Sequence, residues 1–316
     1  MGKSGCSAGY RETGRKTYYR WSLANHLMAG SIRKDAPWGS CKKCTQTSLI
    51  MRLKNKVIII TGSTTGIGEA IAMRCVAEGA LVVIHGLEEE WGLAVASGLG
   101  KDKAVMHIED ITNDGAPGRL VDLAIKTFGK LDAVVNNAAI VASSNIHSTD
   151  KLFLQRIIEV NTIAPFLLIK AALPHLTREH GCVLNIGSVN AWSGEPNLLA
   201  YSVSKGALMT LTRNLGDVLH RENGVRVNQI NPGWVLTKTE MQRKKDQGFS
   251  EHWYREIPAV FAPAGRILLP AEIASAAVYW LADESGPMSG QVVDLEQHPF
   301  IGRNPPKDAA TMNSST

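Results

Sequence analysis

The chain has 316 residues, 44% hydrophobic and 20% charged, which excludes disorder as its dominant state and leaves room for one large α/β domain or two small ones. Its net charge of +5 is uneven: residues 1–50 hold nine Lys/Arg against two Asp/Glu and the rest hold 25 against 27, so the near-neutral remainder offers no platform for nucleic acid. No run of 18 apolar residues suggests a membrane partner, no secretory core is visible, and five irregularly spaced cysteines point to a reducing, cytoplasmic compartment.

Residues 1–50 lack periodicity and read as a basic, disordered extension, with Met51 as the start of the fold and a candidate translation start. Cys41 and Cys44 there form a lone Cys-x2-Cys, two ligands short of a zinc site, and no metal is expected. From Val57 short β-branched runs alternate with amphipathic helical segments. The pattern predicts strand 57–61, helix 66–79, strand 81–85, helix 89–99, strand 104–108, helix 115–128 and strand 133–136. It continues with a long helix 151–176, strand 182–188, helix 199–221, strand 226–231, a polar lid-like stretch 237–263, helix 271–282 and strand 291–294. This alternation implies a Rossmann-type α/β fold: a doubly wound, seven-stranded parallel sheet in three αβα layers. The domain spans 51–296, followed by a polar tail at 297–316. Cys75 and Cys182 fall in a helix and a strand and read as buried hydrophobes.

Between the first strand and helix lies Thr61-Gly62-Ser63-Thr64-Thr65-Gly66-Ile67-Gly68. Small residues there let the backbone approach a pyrophosphate, and the helix N-terminus offers free N–H groups. Further along stand Asp110-Ile111, Asn136-Asn137-Ala138-Ala139, Asn161, Gly187-Ser188, Tyr201-x3-Lys205, Asn231-Pro232-Gly233-Trp234-Val235-Leu236-Thr237 and Gly265-Arg266. In this order and spacing, from about Lys54 to Asp294, the chain resembles the short-chain dehydrogenase/reductase family in its single-domain branch. The departures are Ala139, where the family usually has glycine, and Leu295-Glu296, where it usually has Gly-Gly.

Tyr201 and Lys205 lie four apart on a helix and share a face. A unit charge at ~4 Å is worth ~4 kcal/mol at an effective dielectric near 20, so Lys205, joined by the charge of an oxidised nicotinamide, is expected to lower the Tyr201 phenol from its usual ~10 toward neutrality, against a desolvation cost that acts the other way. The resemblance implies that Tyr201 is the acid/base, Lys205 also binds the nicotinamide ribose, Ser188 polarises the substrate oxygen, and Asn161 binds a water linking Lys205 to solvent. It also implies a cofactor bound by Gly62, Thr64, Gly66, Ile67, Gly68, Asp110, Ile111, Asn137, Pro232, Gly233, Val235 and Thr237, besides Tyr201 and Lys205.

The cofactor is NADP or NAD. Gly86 stands where an NAD-selecting acid is expected, which leans toward NADP; Leu87 and Thr65 supply no base, and Glu88 keeps NAD open. Ser188, Asn190, Trp192 and Trp234, with Val189 and Ile140, flank the nicotinamide position; the two tryptophans make the pocket partly apolar, or pack the lid or a subunit contact. The run Arg243-Lys244-Lys245-Asp246 reads as a solvated face or as a contact to an acidic carrier protein. The expected activity is hydride transfer between NAD(P)(H) and a small carbonyl/alcohol substrate, of 3-oxoacyl-carrier or sugar/polyol type, in a homo-tetramer or homo-dimer. A catalytically silent nucleotide sensor of the same fold is the alternative.

Overall fold

The computed structural model describes residues 51–298; the expectations for residues 1–50, for Cys41 and Cys44, and for the tail beyond 298 lie outside the described residues. Seven strands form one sheet in the order β3-β2-β1-β4-β5-β6-β7, every neighbouring pair parallel. They are β1 (Val57–Ile60), β2 (Leu81–Gly86), β3 (Ala104–Ile108), β4 (Ala133–Asn136), β5 (Cys182–Ile186), β6 (Arg226–Pro232) and β7 (Val292–Leu295). The helices are α1 (Gly66–Ala77), α2 (Glu89–Leu99), α3 (Ala116–Phe128), α4 (Lys151–Ile158), α5 (Ala164–Glu179), α6 (Asn190–Ser193), α7 (Leu199–Asn223), α8 (Lys238–Asp246) and α9 (Pro270–Leu281).

Alternation along each strand divides the core into two layers. Ile58 and Ile60 of β1 join Val82 and Ile84 of β2 under α1 and α9, packed on Ile71, Cys75, Ile273, Ala277 and Leu281. Val57, Ile59 and Val83 face the other way, onto Leu120 of α3, Leu168 and Leu176 of α5, and Leu219 of α7. A run apolar on both faces has to lie between two helical layers, which is why β1 is central. The strand order reverses between β1 and β4, and the crevice at their carboxyl ends is the ligand position of this topology.

Three local features differ from the sequence pattern. The predicted long helix is interrupted by a π-helical turn, Glu159–Ile163, between α4 and α5. β5 ends at Ile186, so Gly187 and Ser188 leave the sheet and lead into α6. The polar stretch after β6 contains α8, capped by Thr237, whose hydroxyl accepts from Glu240 N at 3.0 Å.

The helical stretch Lys151–Glu179 is also long and apolar enough to cross a membrane by length and composition, contrary to the reading that no segment was. One side of it, with Leu168, Ile169, Ala172 and Leu176, is buried in the core, while Ile163, Phe166 and Leu167 are exposed on the other.

Candidate active site

A cavity of ≈ 440 Å³ opens where the sheet order reverses. Its floor is the loop after β1. Gly62 has φ +61°, and a Cβ there would stand 2.8 Å from Ala138 Cα; one on Gly68 would stand 2.3 Å from the Gly62 carbonyl oxygen. Only glycines permit this fold of the chain. Asn137 Nδ2 donates to the carbonyls of Thr61 and Gly62 at 2.9 Å each, and Thr61 Oγ1 accepts from the amides of Asn137 and Ala138, lacing the β1 and β4 loops together. Ala139 is not at positive φ, so alanine serves there as well as glycine.

Thr65 is the N-cap of α1, yet its hydroxyl makes no capping bond and is buried without a partner among the described residues. An uncommitted hydroxyl beside the free N–H groups of a helix N-terminus fits a phosphate oxygen. The residues present therefore suit a dinucleotide.

Of the residues expected to hold the cofactor, Gly62, Thr64, Gly66, Ile67, Asp110, Ile111, Asn137, Tyr201, Lys205, Pro232, Gly233, Val235 and Thr237 line the cavity. Gly68 does not; it lies behind Gly62 and acts through packing. At the far end Gly86 leaves room for Thr64, whose side chain a Cβ on Gly86 would meet at 2.5 Å. Thr64 Oγ1 in turn donates to Glu88 Oε2 at 2.9 Å, so an acid two residues beyond β2 is held at the cavity wall. Asp110 accepts from Thr112 and from Arg156 Nη2; burial works to raise its carboxyl, and these bonds outweigh it and hold the group below its usual value.

α7 brings Tyr201 and Lys205 to one wall, with the Lys205 Nζ 5.6 Å from the Tyr201 ring centroid. Lys205 is buried and donates to the Ile186 carbonyl at 2.7 Å. Burial lowers its ammonium to about 7. Burial likewise pushes the Tyr201 phenol up to about 12, with the Ser188 hydrogen bond pulling the other way. The expectation that Lys205 brings Tyr201 toward neutrality is thus corrected. Taking both groups out of water disfavours both charged forms, and burial is the largest influence on each.

Asn161 sits on the π-helical turn, wholly buried and outside the cavity lining. Its Nδ2 donates to the Ile140 carbonyl and to Ser204 Oγ, and its Oδ1 accepts from Ile140 N. Both amide hydrogens are committed, so the side chain braces the β4 loop against α7. The extra residue of the π turn is the mark of that site, and helical periodicity gives no signal for it.

Ser188, Asn190 and Trp234 line the cavity with Ile140 and Val189. Trp192 does not. It is 47% exposed on α6, donates from Nε1 to Asp294 Oδ1 at 2.9 Å, and stacks under Arg213 at 5.0 Å. α6 turns it outward because Ser188 and Asn190 occupy the inward positions. The basic run is likewise corrected. Arg243 lines the cavity, bound through Nε and Nη2 to Glu240, and Lys244 is 1% exposed with its Nζ 5.2 Å from the Trp234 ring and 4.6 Å from the Phe249 ring. Only Lys245 and Asp246 of that run face solvent.

Glu195 and Glu240, absent from the predicted site, also line the cavity. Glu240 Oε1 accepts from Trp234 Nε1 at 2.7 Å. Its signal in the sequence was the capping pattern Thr237-Lys238-Thr239-Glu240, which announces a helix start. Nothing local marks Glu195.

A family model described as Enoyl-(Acyl carrier protein) reductase matches residues 62–296. 2-(S)-Hydroxypropyl-CoM dehydrogenase 3 of Xanthobacter autotrophicus is 36% identical over 250 residues, covering 76% of this chain and 94% of that protein. Meso-2,3-butanediol dehydrogenase of Serratia marcescens is 30% identical over 246 residues, covering 78% and 95%. A crystal structure of 3-ketoacyl-(acyl-carrier-protein) reductase from Brucella melitensis complexed with NADH superimposes with TM-score 0.68 at 28% identity, covering 77% of this chain and 97% of that one.

Proposed function

The chain belongs to the short-chain dehydrogenase/reductase family, and on that premise we propose that Ser188, Tyr201 and Lys205 carry its chemistry with NAD(H) as the preferred cofactor pair. It is an NAD(P)-dependent oxidoreductase acting on CH–OH groups. The observation that carries the residue assignment is the meeting of Ser188, Tyr201 and Lys205 in the cavity whose floor is the phosphate loop. That complete set gives the silent-sensor alternative no support.

When bound, the nicotinamide supplies or accepts the hydride. Gly62, Thr64, Thr65, Gly66 and Ile67 would hold the pyrophosphate side, and Asp110, Ile111 and Asn137 the adenosine side and the centre. Tyr201, protonated across the physiological range, donates its O–H proton to the substrate oxygen in the reducing direction and takes it back in the oxidising one. Ser188, which lines the same cavity beside Tyr201, supplies a second donor to the same oxygen. Lys205, pinned by the Ile186 carbonyl, brings its charge beside the ring, where it stabilises the phenolate left behind.

Glu88 supports NAD(H). A carboxylate positioned by Thr64 at the adenosine end accepts from ribose hydroxyls and repels a 2′-phosphate. The Brucella melitensis relative is complexed with NADH.

Asn190, Glu195, Glu240 and Arg243 give the cavity a polar wall, which favours a small hydroxylated substrate of the polyol or sugar kind. The match to a 3-ketoacyl reductase favours acyl substrates as the second reading. The test is oxidation of NADH and of NADPH against butane-2,3-dione, fructose and an acetoacetyl thioester. No turnover of any of them, with either nucleotide, would sink the assignment.

The exposed Ile163, Phe166 and Leu167 of the α4–α5 stretch, with Val203 of α7, support a homo-oligomer built on these helices. Light scattering after gel filtration would show a monomer if that is wrong.

A further inference from the structure

Trp192, displaced from the predicted pocket, leads to an acid that the chemistry above does not use. Asp294 lies on β7, solvent-exposed and outside the cavity, and its Oδ1 accepts two hydrogen bonds: from Trp192 Nε1 at 2.9 Å and from Asn231 Nδ2 at 2.9 Å. The other end of the Asn231 amide faces the catalytic loop. Its Oδ1 accepts from the main-chain N of Ser188 at 3.1 Å and from Gln229 Nε2 at 2.7 Å. Gly187 has no side chain because a Cβ would stand 2.1 Å from that same Asn231 oxygen.

These contacts are the end of a longer chain. Asn136 Nδ2 donates to Asn185 Oδ1 at 2.8 Å, and Asn185 Nδ2 donates to Thr212 Oγ1 at 2.8 Å. The Thr212 hydroxyl, which also reaches the Leu208 carbonyl, approaches Gln229 Oε1 at 2.7 Å. Gln229 then donates to Asn231 and Asn231 to Asp294. From Asn136 to Asn231 every member is an amide or a hydroxyl, able to donate or accept, and every member is buried, Thr212 on α7 and the others on the strands beneath it. Asp294 alone is an acceptor only. With the donor-only main-chain N–H of Ser188 at the other end, it fixes the Asn231 amide from both sides, its oxygen toward Ser188 and its NH2 toward Asp294.

We propose that Asp294 is a positioning residue for Ser188, acting through the orientation of the Asn231 amide and through Trp192 on the far side of the same loop. The proposal rests on the role given to Ser188 above. Asp294 grips the loop both ahead of Ser188, through β6, and behind it, through α6. Loss of the acceptor leaves the Asn231 NH2 and the Trp192 indole without their anchor on β7, which loosens the loop that carries Ser188.

The test uses the full chain and two readouts. Hydrogen exchange of the peptide spanning 187–192, read by mass spectrometry with NADH present, needs no substrate. Asp294→Ala is expected to speed exchange there about tenfold, the scale of one lost hydrogen bond, and Asp294→Asn, which keeps an acceptor oxygen but loses its charge, by only two- to threefold. The second readout is turnover of the best carbonyl of the three named above. Asp294→Ala is expected to lower kcat about tenfold while the KM for NADH stays within twofold, and to have no further effect in a Ser188→Ala background. Unchanged exchange at 187–192 in both variants overturns the proposal. So does an Asp294→Ala loss that multiplies in full onto Ser188→Ala. If the unmodified chain turns over none of the carbonyls, the oxidoreductase assignment falls, and the exchange result still decides whether Asp294 holds Ser188. Should Asp294→Ala not fold, the isosteric Asp294→Asn carries both measurements.

Discussion

Lys205 gives its 2.7 Å hydrogen bond to the Ile186 carbonyl while its Nζ stays 5.6 Å from the Tyr201 ring centroid, so the lysine bears on the phenol through its charge. The proton to the substrate is therefore left to Tyr201. Tyr201→Phe keeps the ring against Lys205 and removes only the O–H. Turnover is expected to fall by about 10³-fold, within the usual span of a positioned acid, with NADH affinity by fluorescence within twofold. Retained turnover would remove Tyr201 from the acid/base role.

The burial of Lys205 also sets a stability cost with a definite sign. Its folded-state pKa, about 7, lies below the ordinary lysine value of 10.5. Between those values the unfolded chain binds more protons, so the stability of the native protein rises with pH across that window and its deficit is full below 7. Lys205→Met removes the group. The variant is expected to melt above the wild type at pH 6 and to lose that advantage steadily toward pH 10, while losing turnover. A melting difference that does not change with pH would contradict the depressed pKa.

The same shift predicts the pH profile of reduction. Tyr201 stays protonated far above neutrality, so the limb near 7 belongs to Lys205. As pH rises through 7 its charge is lost, the phenolate left after proton donation loses its stabilisation, and kcat/KM for carbonyl reduction falls. In Lys205→Arg the cation cannot titrate, and the limb is expected to disappear even though the absolute rate is lower. A limb that survives in that variant would assign it to another group.

Much of this site could be read in the sequence because its parts are local. Glycine is needed at Gly62 and Gly68 for reasons within a few residues of each, and Tyr201 and Lys205 meet through helical spacing alone. What stayed hidden depends on contacts far apart in the chain. Trp192 was read into the pocket by its nearness to Ser188, but Asp294, 102 residues away, takes its indole. Lys244 was read as solvated because charge runs usually are, but the Trp234 and Phe249 rings enclose it. The π turn at Asn161 is set by a bond to Ile140, 21 residues earlier, and leaves no periodic trace. The size of the burial effect on Tyr201 was hidden for a related reason. Spacing gives the distance to a charge, but burial, which dominates here, depends on the whole fold.

Cofactor choice turns on Glu88. Gly86 leaves the end of β2 without the acid that reads a ribose, and the 2.9 Å bond from Thr64 brings the Glu88 carboxylate to that wall instead. Because Glu88 is exposed, its repulsion of a 2′-phosphate is screened, and an effect of about 1.4 kcal/mol, tenfold in affinity, is the reasonable scale. The wild type is therefore expected to bind NADH about tenfold more tightly than NADPH by fluorescence titration. Glu88→Gln keeps the size and the bond to Thr64 but not the charge, so NADPH should gain most of that factor while NADH changes little. Thr64→Val should weaken NADH binding by freeing the carboxylate, without favouring NADPH as strongly. A wild type that prefers NADPH, or a preference for NADH that Glu88→Gln leaves intact, would show that the ribose is read elsewhere.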